Sequence, residues 1–144
     1  MAVTALWYGL GLKAMAGGLV DFDTDTINIS LHTNVYTPNQ DTHDFWDDAD
    51  NEVAGAGYTH EGAAIAGCSL TYTAGTNVLK FDGTDVTWAA STITARYAVI
   101  YVREVADADS PLLCYIDFGA DVISTAGEFK VEFHADGIAT ITAA

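Results

Sequence analysis

Positive charge is the scarcest feature of this chain. Lys and Arg number 5 against 20 Asp and Glu in 144 residues, a formal net charge of −15 at pH 7. Phosphate backbones are neutralised by clustered Lys and Arg, so a nucleic-acid partner is not expected. Docking on an anionic membrane surface is disfavoured for the same reason. Proline and cysteine are nearly absent, at two residues each. Cys68 and Cys114 make neither a disulfide framework nor a CxxC pair. They read as two small buried hydrophobes in strand-like stretches. Residues 3–20 hold one charge, Lys13, but are broken by Gly9, Gly11, Gly17 and Gly18, which argues against a membrane span. No basic region opens that stretch, so a signal peptide is not expected.

Motifs for catalysis and metal binding are missing too. No HExxH pair joins His32, His43, His60 and His134. There is no GxSxG elbow, no GxGxxG and no Walker loop. Asp21-x-Asp23-x-Asp25 opens like a calcium loop, but Thr26 stands where glycine belongs and His32 where a bidentate glutamate belongs. An irregular calcium site there, or among Asp44, Asp47, Asp48 and Asp50, is one reading. A solvated loop with Asx turns is the plainer one. No catalytic, cofactor-binding or metal-binding residue is assigned, and no enzymatic activity is expected.

What the chain does have points to β structure. Hydrophobic residues make up 50% and the mean hydropathy is +0.19, which excludes disorder. Thr, Val and Ile number 17, 11 and 9, beside seven Tyr, six Phe and three Trp, and such side chains suit a pleated, half-buried surface. Ile27 to Thr33 alternates as a half-buried strand. Ser69 to Thr73, Val78 to Phe81, Val86 to Trp88, Ala95 to Val105, Leu112 to Phe118, Glu128 to Phe133 and Ile138 to Thr142 follow as short strands. The centre of Ala95 to Val105 is apolar on both faces, as in a central strand covered on each side. Asp82-Gly83 and Asp136-Gly137 carry hairpin-turn chemistry. The expected fold is mainly β: a single-domain antiparallel sandwich or barrel-like fold with a short N-terminal helix or arm.

The chain divides into an apolar N-terminal segment, 1–17, and a β domain, 18–144. Val3, Leu6, Trp7, Leu10 and Ala14 recur at helical spacing, ended by Gly17-Gly18. Such a helix either packs on the domain or forms an arm that docks on a partner, with Leu6, Trp7, Tyr8, Leu10 and Leu12 as contacts. Asp41 to Asp50 predicts a short acidic helical turn with Asp41 or Thr42 at its N-cap, anchored by Phe45 and Trp46. Tyr36, Trp46, Tyr58 and Trp88 either pack in the core or line a binding surface. In the second case Tyr36, Phe45 and Trp46 mark a glycan or partner loop.

Four blocks carry a resemblance. SLHTNVYTPNQDTHDFWDD, NEVAGAGYT, FDGTDVTWAASTITARYAVIYV and SPLLCYIDFG, in this order over roughly residues 18 to 142, resemble a family of small β-rich structural proteins of tailed bacteriophages. The blocks are specific as a set and weak singly. The resemblance implies a virion component without catalysis, used for head decoration (a cement protein) or for head–tail and tail attachment. Its implied partners are the major capsid protein or other virion proteins, and sister copies in a dimer or trimer. Its implied place is the virion, on the outer surface of the head, after synthesis in the host cytoplasm. A net charge of −15 would be repelled by packaged DNA, which favours the outside of a shell. A tail or fibre module that grips a host glycan or protein is the alternative. LWYGLGLKAMAG departs from the family pattern by being unusually apolar.

Overall fold

The computed structural model describes residues 2–143. Met1 and Ala144, the outer ends of the two expected segments, lie outside the described residues. Two strands dominate: β7 (Val86–Val102) and β8 (Leu112–Phe133), which pair antiparallel along nearly their whole length. The four short strands expected here are therefore two long ones. Bulges interrupt the ladder, the largest where the register jumps from Ala95↔Val122 to Tyr97↔Asp117. Gly119, at φ +84°, sits in that bulge. Each bulge bends the ribbon without ending it, which is why the sequence looks segmented.

The other elements attach to this ribbon. β3 (Ile27–His32) pairs antiparallel with β7, and β4 (Ala63–Ala64) pairs with β3. On the far side, β1 (Ala2–Val3) pairs parallel with the end of β8, and β2 (Leu6–Trp7) pairs antiparallel with its start. A second sheet runs in the order β5 (Ser69–Thr73), β6 (Val78–Asp82), β9 (Ala139–Thr142). The two sheets pack as a β-sandwich. Phe81, Ile138 and Ala139 from the small sheet side meet Ile29, Ile100, Ile116 and Val131 of the large one in a single core.

The large sheet is covered on its other face as well. There Val99, Tyr101 and Leu112 pack under Tyr8, Tyr36, Trp46 and Ala49. This double coverage corrects the reading of β3 as half-buried: all six residues, Ile27–His32, are buried. It bears out the reading of the β7 centre, where Ala98 to Val102 have no exposed surface.

The Asp-Gly signals are also corrected. β6 and β7 lie in different sheets, as do β8 and β9. Asp82-Gly83 and Asp136-Gly137 therefore turn the chain from one sheet to the other and close no two-stranded hairpin. Thr76-Asn77 does close one, between β5 and β6, with Asn77 at φ +57°.

The N-terminal segment is part of this domain. Helix α1 covers only Gly9–Ala16 and ends at Gly17 as expected. Val3, Leu6 and Trp7 belong to strands, because the backbone on either side of Leu6 is taken up by β8. Gly11 lets the helix lie against β8: a Cβ there would stand 2.4 Å from the Leu112 carbonyl oxygen. Tyr8, fully buried, anchors the junction. A chain beginning at Gly9 loses both strands and a buried aromatic whose removal alone costs about 3–5 kcal/mol, a large share of a domain's stability. The expected outcome is loss of the cooperative thermal transition followed by circular dichroism. A sharp transition retained near the full-length midpoint would show a separable arm.

Candidate functional site

The aromatic cluster over the large sheet is organised by hydrogen bonds. Trp46 Nε1 donates to Ser30 Oγ at 2.9 Å, and Ser30 Oγ lies 2.8 Å from His32 Nε2. His32 Nδ1 lies 2.7 Å from the Asp50 backbone carbonyl. A carbonyl only accepts, so Nδ1 carries the proton and Nε2 accepts from the serine hydroxyl. Every polar atom of this buried line has a partner. The Tyr8 and Tyr36 hydroxyls meet at 2.7 Å, and the Tyr36 hydroxyl lies 3.1 Å from His43 Nδ1. Trp46 stacks on Tyr101 with ring centroids 5.2 Å apart.

This geometry corrects several expectations. Tyr8, Tyr36 and Trp46 are buried and hydrogen-bonded inside the molecule, so their rings offer no platform to a glycan or partner. Trp88 is buried against Phe129. Tyr58 is half-buried and donates from its hydroxyl to Glu52 Oε1 at 2.7 Å. The acidic segment forms a short 3-10 turn, Trp46–Asp48, preceded by Phe45 in extended conformation. Asn39, not Asp41 or Thr42, caps the preceding turn by accepting from the N–H groups of Asp41 and Thr42.

The remaining candidates lie nearer the surface. Leu10 of α1 and Phe45 of the acidic loop, far apart in sequence, share one open groove of about 390 Å³ with Ala14 and Leu19. Lys13 and Asp44 give it a polar rim. The groove sits beside the aromatic cluster, which holds Tyr8 and Trp46, the neighbours of α1 and Phe45, in place. Leu19, 59% exposed, was not marked by sequence; only the turn after Gly17-Gly18 brings it back alongside the helix. Leu6 is 57% exposed on β2. Trp7 is drawn inward, its Nε1 donating to the Thr140 carbonyl at 3.0 Å and its ring 6.1 Å from Phe81. Leu12 is half-buried.

The ionisable groups are either buried or held by local partners. Burial pushes the Cys68 thiol up to about 11 and Cys114 higher still, so both are poor nucleophiles. The Asp21 and Asp25 carboxylates accept N–H groups of their own turn, as Asx-type loops do. His60, Glu61 and Asp107 are the described residues whose ligand atoms come within 4.8 Å of one another. His60 Nδ1 is 2.5 Å from Glu52 Oε2, and Arg103 Nη2 is 2.8 Å from Glu61 Oε2. Arg103 thus already meets the Glu61 carboxylate, and Glu52 already meets the His60 ring. No helix of the described residues is long and apolar enough to cross a membrane.

No protein-family model, no curated protein and no solved structure matches the chain.

Burial lowers the His32 imidazole to about 4, from an ordinary value near 6.5. Above pH 6.5 the ring is neutral in both folded and unfolded chains. As pH falls from 6.5 towards 4, the unfolded chain takes up a proton that the folded chain refuses. His32 therefore costs stability progressively across that window, by about 2–4 kcal/mol at its lower end. Urea denaturation at pH 7 and at pH 4.5 measures this. His32→Gln should lose less stability than the wild type between the two, and equal losses would refute the assignment.

Proposed function

We propose that this protein is a non-enzymatic virion structural protein of a tailed bacteriophage, used to decorate the outside of the head. In this role the groove between α1 and the acidic loop receives an apolar segment of the major capsid protein. The observation that carries the reading is the convergence of Leu10, Leu19 and Phe45 in one open groove beside the hydrogen-bonded aromatic cluster. The four sequence blocks that resemble phage structural proteins set the class of partner.

The physics of such a contact is simple. The neighbouring cluster holds the elements that line the groove, so docking orders few side chains and loses little conformational entropy. A few apolar anchors then carry most of the binding energy. Each contact is modest, and repetition over a lattice sums it, provided copies are linked. A net charge of −15 keeps such copies soluble and turns them away from packaged DNA. The glycan-binding alternative loses its aromatic platform, because Tyr36 and Trp46 are interior.

Two measurements test this. Immunogold labelling of particles from the source, with antibody to this chain, should place dense label over the head. Label confined to one vertex or the tail would replace decoration by attachment, and no label would remove the virion reading. Leu19→Glu should weaken binding to purified heads about tenfold or more, the effect of losing one anchor of roughly 1.4 kcal/mol. Its thermal midpoint should stay unchanged. Undiminished binding would move the contact away from the groove.

A further inference from the structure

The sandwich guards its longest free edge, that of β8 between the residues paired with β2 and β1, with charge: Asp117, Asp121, Glu128 and Lys130. In the large sheet the terminal strands, β1 and β4, are two residues long. In the small sheet the β9 side is held by the N-terminal segment, with Ala5 N–H donating to the Ile138 carbonyl and Trp7 Nε1 to that of Thr140. β5 is different. It is the outer strand of its sheet, five residues long, and all five are exposed. Beyond its ladder with β6 and the turn from Thr73 to Thr76, Ser69–Thr73 make no backbone hydrogen bond among the described residues. Free edges of this kind are templates for another strand, and proteins usually guard them with charge, proline or brevity. Ser-Leu-Thr-Tyr-Thr has no charge and no proline.

The side chains of β5 reinforce the point. Leu70 stands opposite Phe81 and Tyr72 opposite Leu79, so both point to the core side of the small sheet. Phe81 is fully buried there, yet Tyr72 is 55% exposed. The core face thus runs past the end of the large sheet and leaves an apolar row uncovered. Charge identifies the occupant. Residues 62–79 contain no Asp, Glu, Lys or Arg, the longest such run in a chain of net charge −15. Two copies repel each other over most of their surface and least along this strand.

We propose that β5 pairs antiparallel with β5 of a second copy, joining the two small sheets into one of six strands. Centred on Thr71, the pairing sets Leu70 opposite Tyr72 of the other copy, twice by symmetry, and Ser69 opposite Thr73. The strand is self-complementary in this register, as a two-fold interface requires. Main-chain hydrogen bonds across the seam supply the affinity, in the manner of strand addition. The pairing adds to the decoration reading the surface through which copies join. It is measured on the isolated chain, so its failure is distinguishable from failure to bind particles.

Sedimentation velocity across roughly 1 to 100 µM should show a reversible dimer. Raising NaCl from low salt to about 0.5 M, where the Debye length is about 4 Å, screens the mutual repulsion and should strengthen it. Leu70→Lys with Tyr72→Lys should give a monomer with an intact thermal transition. Thr71→Lys, which leaves the apolar row untouched, should do the same by placing like charges across the seam. A monomer throughout for the wild type would overturn the proposal. So would a dimer that survives both sets of substitutions, or one that weakens as salt rises.

Discussion

The pairing of β7 with β8 is the constraint on which the rest of the structure depends. Both strands are far longer than the usual five or six residues. A ribbon of that length cannot stay flat, and its bulges take up the bend. Once bent, it offers β3 one edge and the N-terminal strands the other, and presents two faces that must each be covered. The small sheet covers one. The other falls to the aromatic cluster, because no further sheet is available to it.

That second covering accounts for features that look unrelated in the sequence. Ser30 and His32 are polar residues on a strand, yet they are buried, because Trp46 and the Asp50 carbonyl complete their hydrogen bonds. Leaving any one of these donors or acceptors unpaired would cost about 1–3 kcal/mol. The glycine-rich helix follows the same logic. Its backbone rests on β8 at Gly11, where any side chain would collide. The cluster thus turns an apolar N-terminal stretch and an acidic loop into one rigid cap, and the groove is the line along which they meet.

Charge then sorts the surface. Acidic loops keep most of the exterior mutually repulsive, so association is restricted to places where charge is absent. The outer edge of the small sheet is one such place, and the groove is apolar within a rim that holds one charge of each sign, Lys13 and Asp44. In the proposed role one of these would serve the lattice and the other would join copies. The two uncovered apolar surfaces lie on different elements and can be occupied together.

Composition and alternation sufficed for the β class and the doubly covered centre of β7, because these rest on local preference and a period of two. The helix end at Gly17 was legible for the same reason, since it is a local backbone requirement. Sheet membership was not legible. Asp-Gly at 82–83 and 136–137 carries the chemistry of a turn but says nothing about which strands flank it. The helical spacing of Val3, Leu6 and Trp7 was overridden by pairing with β8, a contact made more than a hundred residues away. Leu10 and Phe45 could be marked as apolar surface candidates one by one. Their meeting in one groove, the addition of Leu19, and the removal of Tyr8, Tyr36 and Trp46 to the interior were decided by tertiary packing alone. An aromatic side chain has the same chemistry on either side of a sheet's covering layer, and only the path of the backbone places it.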